Sequence, residues 1–220
     1  MSINKQKIEQ TVFILILLFI VVNAIWQNDS YCALISALCG ITYTVFAGKG
    51  RPFCYIFGVC GSAFYAFLSF QNALWGNLIL YLCYYVPMQI LGYFKWNKNL
   101  KFNRYEIIKL KTPVKEMAVV VSVSIILTLI LCGILIYMND THPILDSITT
   151  VFSLGGMYFT VRRAIEQWIF WTIVNALSFL MWLYVALTGA GVYSTAAMWF
   201  VYLFLGIYFY FEWKKELKIQ

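Results

Sequence analysis

Residues 115–138 read KEMAVVVSVSIILTLILCGILIYM, and this stretch decides the fold class. It carries no charge from Met117 to Met138, and about 20 mostly apolar residues are enough for an α-helix to cross a bilayer. The chain as a whole has the same character. Of its 220 residues 62% are hydrophobic and 11% are charged, whereas soluble domains carry about 25% charged residues. The sequence therefore excludes a water-soluble globular protein and predicts an all-α, polytopic membrane protein.

Further apolar runs, bounded by polar residues, glycine or proline, accompany this one along the chain. Together they predict eight transmembrane helices, at residues 8–27, 31–48, 53–70, 74–95, 115–138, 145–162, 165–188 and 192–213. The first run follows Lys5 and Lys7, is too long for the apolar part of a signal peptide and lacks a small-residue cleavage site. We therefore expect it to remain as a helix.

The basic residues lie in every second connection between these runs. If the N-terminus is cytoplasmic, all 16 Lys and Arg residues fall on the cytoplasmic side, and the opposite loops hold only Asp29, Asp140, Asp146 and His142. Because membrane proteins keep positive charge on the cytoplasmic side, the pattern predicts that both termini are cytoplasmic. Topology thus explains the net charge of +7, and nucleic-acid binding is not needed to account for it.

An internal repeat flanks residues 115–138. The stretch 40–96 aligns with 155–213 at an offset of 115 residues, rising to 117, so that Tyr43 pairs with Tyr158 and Phe64 with Phe179. Each copy covers three helices, and the single helix between them makes the copies parallel, as in SWEET-type sugar transporters. The expected organisation is an accessory helix at 1–30, a first three-helix bundle at 31–98, a connection with a linker helix at 99–140, and a second bundle with a cytoplasmic tail at 141–220.

The apolar runs contain amides and aromatic residues but no acid or histidine at membrane depth. Acids there would mark an ion or proton path, so their absence favours facilitated diffusion over symport. The amides and aromatics recur at three- and four-residue steps, which place them in stripes on helix faces. These stripes are Trp168, Trp171, Asn175, Ser178 and Trp182 in the seventh run, Asn77, Tyr81, Tyr84 and Met88 with Tyr85 and Gln89 a third of a turn away in the fourth, and Trp199, Tyr202 and Gly206 in the eighth.

Such stripes have a packing interpretation and a binding interpretation. Aromatic stripes more often pack helices, roughly two to one, and amides in spans often join helices. Amides and aromatic residues occur together on three helices, which favours a binding site. Aromatic rings and amides suit a planar cation, a neutral ring or a simple sugar as the ligand. Trp26, Trp75, Trp96 and Trp213 lie near the ends of runs, and we interpret them as residues of the interfacial aromatic belts.

The sequence offers nothing for a metal, a cofactor or catalysis. The six cysteines lie within apolar runs and none forms a CxxC pair, so neither a disulfide framework nor a metal site is indicated. The single histidine falls in an outer loop, and no Ser or Cys has a base within motif spacing. We therefore expect a protein that is not an enzyme. A homo-oligomer, trimer or dimer, is compatible with such a chain.

Two motifs carry a family resemblance. The first ends the fourth run and reads Tyr81-x-x-Tyr84-x-x-x-x-Gln89, followed by Gly92-Tyr93-x-x-Trp96. The second is Arg162-Arg163-x-x-Glu166-x-Trp168-x-x-Trp171-x-x-x-Asn175. With these motifs, roughly residues 30–215 resemble the PnuC family of bacterial nicotinamide riboside transporters.

The resemblance implies a SWEET-like fold and uptake of nicotinamide riboside, a vitamin B3 precursor of NAD, across the inner membrane. It also implies a cytosolic kinase that traps the riboside by phosphorylation. The pyridinium ring would then stack on aromatic residues, and amides would hold the carboxamide and ribose. The residues expected to stack on the ring are Trp168, Trp171, Trp182, Tyr81 or Tyr202, and those expected to hold the polar groups are Asn77, Gln89 and Asn175. Tyr84 is expected to be a further substrate-binding residue. A carrier of thiamine or another nucleoside, or a SWEET-type sugar carrier, is the alternative.

Overall fold

The computed structural model describes residues 3–26, 30–71, 75–101, 105–139, 142–187 and 193–219, without the side chains of residues 3–5, 75–77, 185 and 193–195. Within these residues the regular structure is helical, as predicted. The helices are α1 (Ile3–Trp26), α2 (Tyr31–Gly48), α3 (Cys54–Gln71), α4 (Trp75–Leu80), α5 (Val86–Asn97), α6 (Val114–Tyr137), α7 (Pro143–Val161), α8 (Gln167–Val185) and α9 (Tyr193–Leu217). A π-helical segment, Tyr81–Tyr85, joins α4 to α5.

Six of the described helices are long and apolar enough to span a membrane, namely α1, α2, α3, α6, α7 and α9. The predicted all-α, multi-pass class is therefore confirmed. Helix α6, which contains most of the apolar run at 115–138, exposes large apolar side chains such as Ile126 and Leu129 around most of its surface. Such a surface suits contact with lipid, because hydrocarbon chains are as apolar as these side chains.

The chain divides into two compact units, Met1–Glu106 and Ile107–Gln220. In the first unit α2 and α3 pack closely because the facing residues are small. The Ser36 hydroxyl donates to the Gly61 carbonyl at 3.1 Å, and a Cβ on Gly61 would lie only 3.0 Å from that of Cys39. At one end of this unit, Lys49 after α2 pairs with Glu9 of α1 at 3.4 Å.

Pro87 accounts for the π-helical segment in the first unit. Proline has no N–H to donate, and inside an α-helix its ring clashes with the carbonyl four residues earlier, here that of Cys83. The helix relieves this clash by widening just before the proline, where the Val86 N–H bonds to the Tyr81 carbonyl five residues back. One extra residue in a turn rotates everything after it by about 100° relative to a continuous α-helix.

In the second unit α7 and α8 form a hairpin whose core is Phe159, Ala164 and Phe170. Residues of α6, including Met117 and Val121, pack against this core. A short turn, residues 162–166, joins the two helices. Arg163 has φ of 62° in that turn, in the left-handed region that non-glycine residues rarely adopt. Its carbonyl accepts the Leu110 N–H at 2.9 Å, which fixes the turn against the preceding connection.

The interfacial interpretation of two tryptophans is wrong. Trp96 and Trp213 are both fully buried, each with its ring edge-on to an aromatic ring within its own unit. An aromatic belt residue would face lipid and water, as Trp26 does at 86% exposure. The side chain of Trp75 lies outside the described residues. Nearness to the end of an apolar run cannot distinguish a helix face toward protein from one toward lipid.

Candidate functional site

The polar and aromatic stripe of α8 faces the interior of the second unit. Asn175 and Ser178 are 7% and 6% exposed, whereas Leu180 and Tyr184 on other faces of the helix are 58% and 65% exposed. A helix at a protein–lipid boundary normally turns its polar groups away from lipid, because hydrocarbon cannot hydrogen-bond them. The face of α8 that carries Asn175 and Ser178 therefore points into the second unit.

The two tryptophans that begin this stripe are held by their neighbours. Trp168 is buried and packs against Phe209 and Trp213 of α9, with ring centroids 5.3 and 5.8 Å apart. Its Nε1 has no hydrogen-bond partner in the part of the chain that the structure describes. The Nε1 of Trp171 donates to the Thr160 hydroxyl of α7 at 3.1 Å. Trp168 thus has the surroundings of a packing residue, and Trp171 is only half-buried.

Further along α8, two of the predicted stripes meet. A Cβ on Gly206 of α9 would lie 3.8 Å from the Nδ2 of Asn175 and 3.0 Å from the hydroxyl of Thr172. The glycine therefore lets the backbone of α9 approach α8 closely beside Thr172 and Asn175. Tyr202, one turn before Gly206, is half-buried and has its ring centroid 5.9 Å from that of Trp199. Trp182, at the far end of the stripe on α8, is also half-buried.

In the first unit the predicted tyrosines form a contiguous cluster around the π-helical segment. The Tyr81 ring stacks on that of Tyr65 of α3, with centroids 4.4 Å apart and planes at 30°. Tyr85 lies between the other two, with its centroid 4.9 Å from that of Tyr81 and 5.6 Å from that of Tyr84. Asn77 belongs to α4, but its side chain lies outside the described residues.

Gln89 is buried and bonded to α3. Its Nε2 donates to the Ser62 hydroxyl at 3.0 Å, and that hydroxyl lies 3.3 Å from Oε1. In a continuous α-helix Gln89 would lie about 80° around the axis from Tyr81, at about 100° per residue. The extra residue of the π-helix reduces this angle to about 20°, which puts Gln89 and Tyr81 on one line. On the regular helix that the sequence predicts, Gln89 is about a third of a turn from the stripe of Asn77, Tyr81, Tyr84 and Met88.

The charged half of the second motif has a structural role that the sequence did not predict. Residues 107–112, which we call the strap, lie against the turn between α7 and α8. The Glu166 carboxylate accepts the Thr112 N–H at 3.1 Å and its hydroxyl at 2.7 Å. The Ile165 N–H donates to the Leu110 carbonyl at 2.9 Å, and Arg163 Nη1 donates to Ile108 at 3.2 Å. Glu166 therefore fixes the turn from which α8 begins.

The strap also contacts the end of α9. Lys109, with only 1% of its side chain exposed, pairs with Glu216 at 2.5 Å and lies 4.8 Å from the ring centroid of Trp213. At the start of α6, Glu116 pairs with Arg162 at 2.6 Å. Burial, and to a lesser extent the charge of Arg162, lowers the pKa of the Arg163 guanidinium. Within this unit, the start of α6, the turn after α7 and the end of α9 lie together, as the alternating charge pattern requires.

One sequence signal could have identified Glu166. A carboxylate directly before a helix interacts with the positive end of the helix dipole, so an acid at the start of α8 is expected to be ordered. No comparable signal predicts its partner, because Thr112 lies 54 residues away along the chain. Among the described residues, groups of His, Cys, Asp and Glu that could hold a metal are absent.

Comparison with known proteins bears directly on this fold and site. Residues 30–215 match the model of the nicotinamide mononucleotide transporter family, which leaves α1 outside the match. The nicotinamide riboside transporter PnuC of Neisseria mucosa is 30% identical over 211 residues, covering 92% of this chain and 80% of that protein. The protein of the same name from Haemophilus influenzae is 28% identical over 192 residues, which are 86% of this chain and 82% of that protein.

Among solved structures, the crystal structure of the vitamin B3 transporter PnuC matches with a TM-score of 0.79 and 28% sequence identity. The match covers 96% of this chain and 92% of that one. The resemblance that the two motifs indicated is therefore confirmed. On the family match and the relatives together, this multi-pass helical membrane protein belongs to the nicotinamide mononucleotide transporter family, the family of PnuC.

Proposed function

We propose that this protein takes up nicotinamide riboside across the bacterial cytoplasmic membrane by facilitated diffusion. The observation that carries the proposal is the inward stripe of α8, on which half-buried tryptophans flank the buried amide of Asn175. The relatives from Neisseria mucosa and Haemophilus influenzae bear the name of riboside transporters, which supports the same substrate. A transport role, with no catalysis, agrees with the lack of a catalytic pair in the sequence.

The proposed binding residues follow from chemistry. Pyridinium is a planar cation, and a desolvated cation over an aromatic face gains about 2 kcal/mol or more. Amides can donate to and accept from the carboxamide and the ribose hydroxyls. We assign the ring to Trp171, Trp182, Tyr81, Tyr84 and Tyr202, and the polar groups to Asn77, Gln89 and Asn175. Trp168, enclosed by Phe209 and Trp213, is assigned to packing that supports the stripe.

The family description names nicotinamide mononucleotide as the substrate, whereas we propose nicotinamide riboside. The charge of the mononucleotide's phosphate distinguishes the two. A mononucleotide carries a phosphate of about −1.5 to −2 charges, which proteins usually bind with Arg or Lys. Residues 52–94 and 164–213, which include every proposed binding residue, contain neither Lys nor Arg. Burial of such an anion without a partner costs several kcal/mol, so the riboside is the better substrate.

The same stretches explain why we propose uncoupled transport. Residues 52–94 and 167–211 contain no Asp, Glu or His, so they offer no side chain to carry a coupling proton. Facilitated diffusion alone cannot accumulate a solute. Accumulation above the outside concentration then requires a cytosolic kinase, because phosphorylation turns the riboside into a species that this path excludes.

The proposed topology has eight spans with both termini in the cytoplasm, arranged as two parallel three-helix repeats, the linker helix α6 and the accessory helix α1. Two observations support it. Lys49 and Glu9 meet at one end of the first unit, as a common cytoplasmic face requires. The paired positions Trp96 and Trp213 are both fully buried and edge-on to an aromatic ring at the start of the middle helix. A homotrimer or homodimer is part of the same proposal.

Counterflow in liposomes tests the proposed function. Vesicles that contain the full-length chain and unlabelled riboside should accumulate labelled nicotinamide riboside, with no need for an ion gradient. Excess thiamine, glucose or mononucleotide inside the vesicles should not drive this accumulation. Counterflow that responds to thiamine or glucose and not to the riboside would refute the proposal in favour of that substrate.

A further inference from the structure

Two buried phenol hydroxyls stand out in the first unit. Tyr43 of α2 and Tyr55 of α3 meet edge to face with ring centroids 5.9 Å apart. Both hydroxyl oxygens are buried, and neither has a hydrogen-bond partner in the part of the chain that the structure describes. Tyr55 is only 1% exposed. A buried hydroxyl without a partner is costly, so native proteins normally supply one from protein, water or ligand.

Glycines hold these rings beside the predicted amide. A Cβ on Gly58 would lie 2.9 Å from Tyr43 Cδ2 and 3.1 Å from Gln89 Cδ. The Tyr43 ring and the Gln89 carboxamide therefore both pack against the backbone of Gly58. A Cβ on Gly92 would overlap the Tyr55 ring, including its hydroxyl. Both phenols are therefore set close to α5, which carries Gln89. The Tyr43 ring is half-buried, whereas its hydroxyl oxygen is buried.

The positions paired by the sequence repeat serve as an internal comparison. Tyr158, the counterpart of Tyr43, donates its hydroxyl to Glu116 at 2.9 Å and accepts from Arg162 at 3.2 Å. The counterpart of Tyr55 is Phe170, which has no hydroxyl. At these two positions of the second unit, the one hydroxyl, that of Tyr158, has hydrogen-bond partners, and the other position has no hydroxyl. The first unit keeps both hydroxyls without a protein partner, which points to a partner from outside the chain.

We propose that the hydroxyls of Tyr43 and Tyr55, together with Gln89, form a hydrogen-bonding site for the hydroxyl groups of a sugar-bearing solute. Each phenol can donate and accept one bond, and Gln89 keeps a second amide hydrogen beyond the one it gives to Ser62. None of the three groups is charged, so the set matches a vicinal diol and not a phosphate. The inference rests on the proposed function, in which the solute is a riboside.

The test is a titration of the full-length protein in nanodiscs with nicotinamide riboside and with its 2′,3′-dideoxy analogue. Tyr43→Phe and Tyr55→Phe should each weaken riboside binding about three- to tenfold, the loss of one neutral hydrogen bond, and leave binding of the dideoxy analogue unchanged. Both variants should melt at or above the wild-type temperature, because each removes a buried hydroxyl that the protein does not satisfy.

Tyr158→Phe is the matched control. It should lower the melting temperature, because Glu116 and Arg162 lose a partner, and leave the preference for the riboside over the dideoxy analogue unchanged. In the wild type alone, the riboside should bind more tightly than the analogue. Equal binding of the two compounds by the wild type, or unchanged riboside affinity in both Phe variants, would overturn the inference.

A wild-type protein that binds neither compound would contradict the proposed function instead. The comparison would then be repeated with uridine and 2′,3′-dideoxyuridine on the same proteins. A preference for uridine that both Phe variants lose would sustain the hydroxyl site without the proposed substrate. Equal or absent binding of these two nucleosides would overturn it.

Discussion

Replacement of Glu166 by Gln tests whether the charged half of the motif holds α8 in place. The carboxylate accepts the Thr112 N–H and the Thr112 hydroxyl, at 3.1 and 2.7 Å, in a buried position. Hydrogen bonds to charged groups contribute about 1.5–3 kcal/mol each. Glutamine keeps one acceptor and turns an NH₂ group toward a donor. We expect a loss of about 2–4 kcal/mol, which for a chain of this size lowers the melting temperature by roughly 5–15 °C.

The assay is thermal unfolding in detergent, followed by intrinsic tryptophan fluorescence. Glu106→Gln is the matched control, since it also removes one negative charge and its side chain makes no ion pair or hydrogen bond among the described residues. Thr112→Val removes only the hydrogen bond that the Thr112 hydroxyl donates to the carboxylate, and should cost about 1.5–3 kcal/mol. A Glu166→Gln protein that melts within about 1 °C of the Glu106→Gln protein would refute a structural role for the strap.

Two matched pairs of substitutions and one single substitution test other contacts by the same melting assay, with binding measured where stated. Gly92→Ala should destabilise the protein, because its Cβ would overlap the Tyr55 ring. Gly133→Ala on α6, where a Cβ meets nothing within 4 Å, should be neutral or stabilising by up to about 1 kcal/mol. Equal effects of the two substitutions on the melting temperature would contradict this. Glu216→Ala should lower the melting temperature more than Lys109→Met does. Loss of Glu216 leaves the buried Lys109 ammonium without its carboxylate, whereas Lys109→Met removes the buried charge itself. The reverse order would be inconsistent with the buried ion pair. Pro87→Ala should lower the melting temperature and weaken riboside binding, because a regular helix would turn α5 by about 100° and take Gln89 and Gly92 away from Ser62 and Tyr55. An unchanged melting temperature and affinity would argue against a role for the π-helix.

Much of the fold could be predicted from the sequence because lipid imposes a simple rule. A span must satisfy its own backbone hydrogen bonds and present apolar side chains, so apolar runs and their polar boundaries mark the helices. The runs at 31–48 and 115–138 agree with α2 and α6 to within one residue. The inward direction of Asn175 and Ser178 was predictable for the same reason, since an amide or hydroxyl facing lipid would lack a partner.

What the sequence could not supply depends on contacts between distant residues. The bond between Glu166 and Thr112 joins positions 54 residues apart, and no local pattern predicts such a pair. Burial of Trp96 and Trp213 depends on which helix face meets protein, and lipid and protein interiors favour the same residue types. The π-helix was predictable in part, because Pro87 interrupts an apolar run without ending it, although the resulting rotation depends on how the helix accommodates the ring.

We propose that an uncharged path lined by aromatic and amide side chains carries a riboside. Calorimetric titration of the full-length protein with nicotinamide riboside and with nicotinamide mononucleotide tests it most directly. The two ligands differ only by a phosphate, and binding that phosphate without a cation should cost at least about 3 kcal/mol, a factor of about 100 in affinity. We predict saturable riboside binding at least about 100-fold tighter than mononucleotide binding. Equal affinities, or tighter binding of the mononucleotide, would contradict the account.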